Sequence, residues 1–309
     1  MHILVVGGCG FIGSHIVDEL ISSGHIVSVL DPGNEQFRPP LDNVTYYHRD
    51  ILSPGILNKA ISTVDAVVHS ASSTVPASSS MDPQADVESN LVGMIRLLEC
   101  MRQAGKKRII FLSSGGTIYG KPETLPVPED HPLNPQCSYA VVKVAMEHYL
   151  NIYANLHDFK VSIIRPANPY GPRQSLSGIQ GVIASFTEKV LRNGALPLIG
   201  SGDVIRDFFH VTDLAKICSI IINNNKTGIF NAGSGHGTSI REIIDILESI
   251  HGSPITVQMM DSRAFDIPAI VLDIEKSSRE LSWQPNIGLQ EGMTDYYHWL
   301  KAFLASRPA

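Results

Sequence analysis

The chain has 309 residues, of which 43% are hydrophobic and 17% are charged, and this composition predicts a globular protein with one large domain and a smaller lobe. Its net charge of −6 at pH 7 offers no basic surface to a phosphate backbone, so we expect no nucleic acid partner. The four cysteines are scattered and form no C-x-x-C pair, which argues against a disulfide framework and against a metal site.

The N-terminal residues show no basic leader or cleavage site, because the chain runs from Met1 directly into a short apolar segment and a glycine turn. No segment approaches the ~18 consecutive apolar residues of a membrane span. We therefore expect a cytoplasmic protein with reduced thiols and no membrane association.

The first half of the chain alternates short β-branched segments with amphipathic ones, a pattern typical of βαβ units around a buried parallel sheet. The predicted strands cover residues 2–6, 26–30, 44–47, 66–69, 108–112 and 161–165. The predicted helices cover residues 12–22, 54–62, 83–104 and 138–156. Together these elements predict an α/β protein with a Rossmann-type doubly wound parallel sheet, and we expect residues 1–166 to form an NAD-binding domain.

The composition changes after Pro166, where proline, glycine and asparagine become more frequent. Helices are predicted over residues 182–193, 212–223, 239–251 and 289–305, joined by short strands and loops. This change predicts a smaller C-terminal α/β lobe over residues 167–309 that mainly binds the substrate. We expect some of its segments to return to the sheet.

A glycine-rich turn over residues 7–13 follows the first strand and opens the first helix. Its G-x-G-x-x-G pattern is typical of dinucleotide binding, because the glycines let a pyrophosphate approach the free N–H groups of the helix N-terminus. Asp31 ends the next strand, where a carboxylate binds ribose hydroxyls and repels a 2′-phosphate. The pattern predicts NAD rather than NADP, and the alternative is a turn that serves packing alone. The expected cofactor contacts are Gly7, Gly10, Phe11, Ile12, Gly13 and Asp31, with Asp50 and Ile51 near the adenine.

Tyr139 and Lys143 lie four residues apart in a predicted helix, so their side chains share one face. An adjacent ammonium, together with a positively charged nicotinamide, would lower the phenol pKa from about 10 and make the tyrosine a usable general base. By itself the pair is more often a surface phenol beside a solvated lysine. Downstream of a nucleotide-binding turn, it predicts redox chemistry on a substrate alcohol.

These motifs resemble the extended short-chain dehydrogenase/reductase superfamily, in its NAD-dependent nucleotide-sugar epimerase/dehydratase branch. The resemblance spans nearly the whole chain and includes the segments 69–71, 113–120, 165–173 and 206–211. It implies cofactor contacts from Ala71, Asn90 and Lys143, and catalysis by Tyr139. It also implies a nucleotide sugar, such as a UDP-hexose, as substrate, and a homodimer formed by the helices near residues 83–104 and 138–156.

The sequence departs from the family pattern at one catalytic position. In the family, a Ser or Thr hydroxyl lies three residues before the branched residue of the V-Y-G turn. That branched residue is Ile118 in this sequence, so the position of the hydroxyl is occupied by Gly115. Either Ser114 or Thr117 must then supply the hydroxyl, and we favour Thr117 by a narrow margin. The family's dehydratases carry Thr-Asp-Glu at the positions of residues 115–117, because elimination of water needs an acid and a base. Its decarboxylases carry a glutamate in the same stretch. Gly115 and Gly116 therefore favour a 4-epimerase, which needs only reversible oxidation at C4.

Four residues are expected to bind the nucleotide sugar, by the same resemblance. Arg206 and Arg263 would clamp the pyrophosphate, since a guanidinium can engage two phosphate oxygens at once, although each arginine alone could form a surface ion pair. Asp266 would bind the nucleotide ribose, and Asn168 would lie beside the sugar phosphate.

The identity of the sugar stays open in the sequence. Ile270 aligns with a family position where an aromatic residue narrows the pocket and a small residue admits an N-acetyl group, and isoleucine is intermediate. His69 and His210 end apolar segments, so we interpret them as hydrogen-bonded structural histidines rather than as catalytic bases.

Two other functions compete with an epimerase. A keto-sugar reductase would usually use NADPH, which Asp31 disfavours. A non-catalytic NAD(P)-sensing module would have lost the catalytic tyrosine, whereas Tyr139 and Lys143 are both present.

Overall fold

The computed structural model describes residues 1–174, 181–261 and 267–306. In chain order its strands are β1 (His2–Val6), β2 (Ile26–Leu30), β3 (Val44–Tyr47), β4 (Ala66–His69), β5 (Arg108–Leu112), β6 (Lys160–Pro166), β7 (Asn168–Tyr170), β8 (Leu196–Ile199), β9 (Ile205–His210), β10 (Gly228–Ala232), β11 (Gly237–Ser239), β12 (Val257–Met260) and β13 (Ala269–Ile270). Its helices are α1 (Phe11–Ser22), α2 (Ile56–Ser62), α3 (Pro76–Ser79), α4 (Pro83–Asp86), α5 (Gly93–Gln103), α6 (Ser138–His157), α7 (Val182–Leu191), α8 (Val211–Asn224), α9 (Ile240–His251), α10 (Glu275–Leu281) and α11 (Leu289–Ala305).

Seven parallel strands form the central sheet in the order β3-β2-β1-β4-β5-β6-β10. This is the doubly wound α/β arrangement that the sequence predicts, and the six predicted strands lie within one residue of their expected ends. The strand order reverses between β1 and β4. In open α/β sheets the ligand crevice lies at the carboxyl ends of the strands beside such a reversal.

The strands of this sheet are buried on both faces. Ile3 and Val5 of β1 belong to one apolar core, whereas Leu4 and Val6 belong to another on the opposite side. Since successive side chains of a strand point to opposite faces, both sets must be apolar, and this is why the strand reads as a continuous hydrophobic segment.

The second half of the chain contributes both to this sheet and to a separate lobe. β10 pairs in parallel with β6, and α8 packs on α1. The helices α7, α9 and α11 pack with β8 around a third apolar core, and the remaining C-terminal strands form the sheet β11-β9-β13, with β7 paired to β9, and the pair β12-β8. Within the described ranges, no helix has both the length and the apolar character needed to cross a membrane.

The helix predicted over residues 83–104 is present but not uniform. A π-helical turn (Val87–Val92) joins α4 to α5, and the backbone on either side of it stays right-handed helical. Such turns occur frequently at functional sites. This one carries Asn90, which is buried.

Candidate active site

A cavity of about 650 Å³ opens at the carboxyl ends of the central strands and extends to the C-terminal lobe. Its wall combines the N-terminus of α1, the loops after β4 and β5, the first turns of α6 and the strands β7 to β9. It brings together many of the residues that the sequence singles out: Phe11, Ile12, Ser114, Thr117, Tyr139, Lys143, Asn168 and Arg206.

The glycine turn between β1 and α1 leaves little room for side chains. A Cβ on Gly13 would lie 2.0 Å from the Gly7 carbonyl oxygen, and a Cβ on Gly7, which has φ +84°, would lie 2.7 Å from the Ala71 backbone. α1 begins without a side-chain cap and without an acidic residue in its first turn. The turn and the helix N-terminus therefore fit the pyrophosphate of a dinucleotide.

Asp31 lies directly against this turn. Its Oδ2 accepts a hydrogen bond from the Cys9 N–H at 3.0 Å, and its Oδ1 accepts one from the Gly33 N–H at 2.8 Å. The carboxylate is thus held at the end of β2, the position from which a Rossmann-type domain binds the adenosine ribose.

Asp50 and Ile51 follow β3, outside the described wall of the cavity. Asp50 is exposed, and its Oδ1 accepts a hydrogen bond from the Leu52 N–H at 2.7 Å. Ile51 is half-buried and packs against the start of α5, where a Cβ on Gly93 would lie 3.0 Å from its Cγ2.

Asn90 lies beneath the loop after β4 rather than in the described cavity wall. Its Oδ1 accepts a hydrogen bond from the Ser73 N–H at 3.0 Å, and its Nδ2 donates to Asp86 Oδ1 at 2.9 Å. The buried carboxylate of Asp86 also accepts from Thr74 at 2.6 Å and from Ser138 at 2.7 Å. This network joins the loop to the first residue of α6 beside the cavity.

The side chain of Ser114 lies beside the Tyr139 phenol. Tyr139 shares a hydrogen bond with Ser114, and Thr117 Oγ1 donates to Ser114 Oγ at 2.9 Å. The geometry therefore favours Ser114, rather than Thr117, as the hydroxyl next to the phenol, with Thr117 behind it.

Lys143 is 4% exposed, and its Nζ donates to the Leu112 carbonyl oxygen at 2.9 Å and lies 5.6 Å from the centroid of the Tyr139 ring. Burial lowers the pKa of Lys143 to about 8. Burial also raises the pKa of Tyr139 to about 12, and the hydrogen bond with Ser114 offsets this only in part. In the protein alone, desolvation of the phenolate is the largest effect on this pKa, and the lowering expected from the ammonium together with a positively charged nicotinamide stays a prediction.

The surroundings of Gly115 explain why it carries no hydroxyl. A Cβ at this position would lie 2.6 Å from Leu272 Cδ1 and 2.9 Å from the Arg165 carbonyl oxygen. Gly116 has more room, with the Ala167 carbonyl oxygen at 3.7 Å. Even a serine at position 115 would require Leu272 and the end of β6 to move.

Asn168 and Arg206 enter the cavity wall from the C-terminal lobe. Asn168 Nδ2 donates to the Asp207 carbonyl oxygen at 3.0 Å, and Arg206 Nη1 donates to two backbone carbonyls at 2.8 Å each. Arg263 and Asp266 lie outside the described residues.

Gln174 is a polar residue of the cavity wall that was not predicted from the sequence. Gln174 lines the cavity and is 8% exposed, and its Oε1 has no hydrogen-bond partner among the described residues. A buried amide oxygen without a partner is an available acceptor for a ligand. The sequence feature that could have identified Gln174 is its position directly after the motif of residues 165–173.

Three other residues that the sequence analysis discusses are buried in the structure. Ile270 is buried in the apolar core and does not line the described part of the cavity. His210 caps α8 by accepting a hydrogen bond from the Thr212 N–H at 3.4 Å. His69 is buried, with its ring centroid 5.8 Å from that of Phe111, but its Nδ1 has no hydrogen-bond partner among the described residues, so the expected hydrogen bond is absent at this nitrogen.

Comparison with known proteins shows the family. The model of the NAD dependent epimerase/dehydratase family matches residues 3–233. The chain belongs to this family. A UDP-glucose 4-epimerase of Mycolicibacterium smegmatis is 35% identical over 303 residues, which cover 95% of this chain and 96% of that protein.

Solved structures of the family match over nearly the full length of the chain. The UDP-glucose 4-epimerase of Thermotoga maritima with UDP-glucose superimposes with a TM-score of 0.93 at 33% identity, covering 98% of this chain and 100% of that one. The Thermus thermophilus UDP-glucose 4-epimerase in complex with NAD gives 0.91 at 34% identity, covering 97% and 99%. The predicted fold and family are confirmed.

Proposed function

We propose that this protein is an NAD-dependent nucleotide-sugar 4-epimerase that acts on UDP-glucose and UDP-galactose or on their N-acetyl counterparts. The observation that carries the proposal is the chemistry of the cavity wall, which presents a phenol, an amine and hydroxyls but, among the described residues, no carboxylate. Epimerisation at C4 needs a proton transfer at one hydroxyl, whereas dehydration needs a further acid and base at C6 and C5. Membership of the family and the 4-epimerase relatives support the same reaction.

The chemistry is divided between the cofactor and the chain. When bound, NAD would supply the reversible hydride acceptor for C4 of the sugar. The chain moves the proton: Tyr139 takes it from the C4 hydroxyl as a base and returns it as an acid. Ser114 donates a hydrogen bond to the phenolate, Thr117 supports Ser114, and the Lys143 ammonium adds positive charge near the ring.

The cofactor is NAD, held by the domain of residues 1–166. We assign to its binding Gly7, Gly10, Phe11, Ile12, Gly13, Asp31, Asp50, Ile51, Ala71, Asn90 and Lys143. The crowded glycines and the uncapped start of α1 support the assignment of the pyrophosphate. The carboxylate at Asp31 supports NAD over NADP, because it would repel a 2′-phosphate.

The nucleotide sugar is held mainly by residues 167–309. Asn168, Arg206 and Gln174 line the cavity from this part of the chain, and Arg263 and Asp266 complete the proposed contacts to the nucleotide diphosphate. Binding energy placed on the nucleotide leaves the sugar free to turn over between oxidation and reduction.

We also propose a cytoplasmic homodimer that associates through α6 and the helix of residues 83–103. Val141, Ile152 and Leu156 lie on one face of α6 and are 52%, 46% and 70% exposed, and Met81, just before α4, is 85% exposed. A row of exposed apolar side chains is typical of a protein contact surface. All four cysteines are unpaired, as in a reducing compartment. Light scattering should give the mass of a dimer, and a monomer at micromolar concentration would contradict this assembly.

The reaction is tested by incubating the holoenzyme with each UDP-sugar in deuterated water and following the products by NMR. We expect the C4 epimer, no deuterium at C5 and no accumulated NADH. The Tyr139→Phe variant is the control, since it keeps the cavity but lacks the phenolic proton.

Two results would replace the proposal by another reaction. Deuterium at C5 with loss of the 6-hydroxyl would establish a dehydratase. Stoichiometric consumption of added NAD(P)H with a keto-sugar would establish a reductase.

A further inference from the structure

The turn that leads into Gln174 has an unfavourable backbone conformation. Residues 171–174 form a turn in which the Gln174 N–H donates to the Gly171 carbonyl oxygen at 3.4 Å, and its third residue, Arg173, has φ +67°. This left-handed conformation suits glycine or asparagine, and other residues keep it only where the surrounding structure holds them. The contacts of Arg173 therefore show what maintains the turn.

Two side chains of α1 hold Arg173. Its Nη2 lies 2.8 Å from Asp18 Oδ2 and 2.7 Å from His15 Nδ1. Burial, followed by the charge of Arg173, lowers the pKa of His15 to about 3, so the ring is neutral. With Nδ1 accepting from Arg173, His15 Nε2 donates to the Pro172 carbonyl oxygen at 2.9 Å. The turn is thus tied to α1 at two consecutive residues.

Asp18 is itself held from the other side by Arg38, in the loop that follows Asp31. Arg38 donates to Asp18 and, at 3.2 Å, to Glu35, whose side chain is 1% exposed. The side chains of Arg38 and Arg173 are 20% and 13% exposed, whereas that of Asp18 is 37% exposed, so the two arginines are better shielded from water than the carboxylate that they share. Two arginines from distant segments therefore fix the orientation of one carboxylate.

We propose that Asp18 is a positioning residue for substrate binding: through Arg173 it holds Gln174 in the cavity wall, where the unpartnered Oε1 accepts a hydrogen bond from a sugar hydroxyl. The inference rests on the proposed function, since it takes a nucleotide sugar as the occupant of the cavity. Asp18 is not part of the described cavity wall. Its loss therefore affects binding more than turnover.

The test is a double-mutant cycle of Asp18→Asn and Gln174→Ala in the NAD-loaded enzyme. Each change should raise KM for UDP-glucose on the order of tenfold, the effect of one lost hydrogen bond, while kcat changes less than about threefold. An amide offers a single acceptor oxygen to two arginines, so Asp18→Asn weakens the contact with Arg173 and leaves His15 alone to hold the turn on α1. The double variant should be no worse than Gln174→Ala alone, because both changes remove the same substrate contact.

Asp158→Asn is the matched control, since it makes the same acid-to-amide change in an exposed ion pair with Lys107, at the C-terminal end of α6. It should leave KM unchanged. Asp18→Glu, which keeps the carboxylate, should recover most of the wild-type KM. Calorimetry with UDP-glucose, with every protein carrying Tyr139→Phe, should show the same order of dissociation constants.

Additive effects in the double variant, or a wild-type KM for Asp18→Asn, would overturn the inference. If Asp18→Asn does not fold, Arg173→Gln replaces it in the cycle with the same expected results. A wild-type enzyme that binds no UDP-sugar would instead overturn the proposed function.

Discussion

The hydrogen bond between Ser114 and Tyr139 gives the sharpest prediction about catalysis. Ser114→Ala removes the hydroxyl beside the phenol, whereas Thr117→Val removes only the donor behind it and keeps its volume. The base form of Tyr139 is the phenolate, and burial already raises its pKa to about 12 in the protein alone. Loss of a hydrogen bond to the charged form raises this pKa further.

The size of the effect follows from the energy of such a bond. A hydrogen bond to a charged group contributes about 1.5–3 kcal/mol, which at 1.36 kcal/mol per unit corresponds to about one to two pKa units. Below the pKa, the phenolate fraction falls in the same proportion. We therefore expect Ser114→Ala to lower kcat by about 10- to 100-fold, and Thr117→Val by less than about tenfold.

The assay is the pH dependence of kcat for the wild type and both variants, with substrate affinity measured separately. The acid limb of the Ser114→Ala profile should move to higher pH by about one to two units, because a base with a raised pKa is deprotonated at higher pH. A larger effect of Thr117→Val, or an unmoved limb in Ser114→Ala, would refute the reasoning and return the role to Thr117.

Four other substitutions test the remaining parts of the site. Tyr139→Phe should lower kcat by about 10²- to 10⁴-fold with nearly unchanged substrate affinity, and loss of the fold or of the cofactor would instead make the phenol structural. Asp31→Ser should reduce the preference for NAD over NADP in binding titrations, whereas equal affinity of the wild type for both would remove the role of Asp31. Gly13→Ala should weaken NAD binding far more than Gly10→Ala, since the added Cβ would lie 2.0 Å from the Gly7 carbonyl oxygen in the first case and 3.4 Å in the second. Equal titration curves for the two alanine variants would contradict the assigned role of the turn.

The sequence by itself determined the features that depend on neighbouring residues. The β-branched segments of the sheet are local patterns, and all six predicted strands are present. The glycine turn and Asp31 flank adjacent strands, so their proximity follows from the order of the elements. Tyr139 and Lys143 share one helix face at a spacing of four residues, and both line the cavity.

The tertiary structure decided what depends on residues far apart in the chain. Leu272 fills the space beside position 115, and Arg173 forms an ion pair with Asp18, which lies 155 residues earlier in the chain. No local sequence pattern contains either contact. The choice of Ser114 over Thr117 depends on how the turn packs against α6, and the raised pKa of Tyr139 depends on burial by several elements at once. Burial and close approach are properties of the packed chain, and a linear spacing cannot express them.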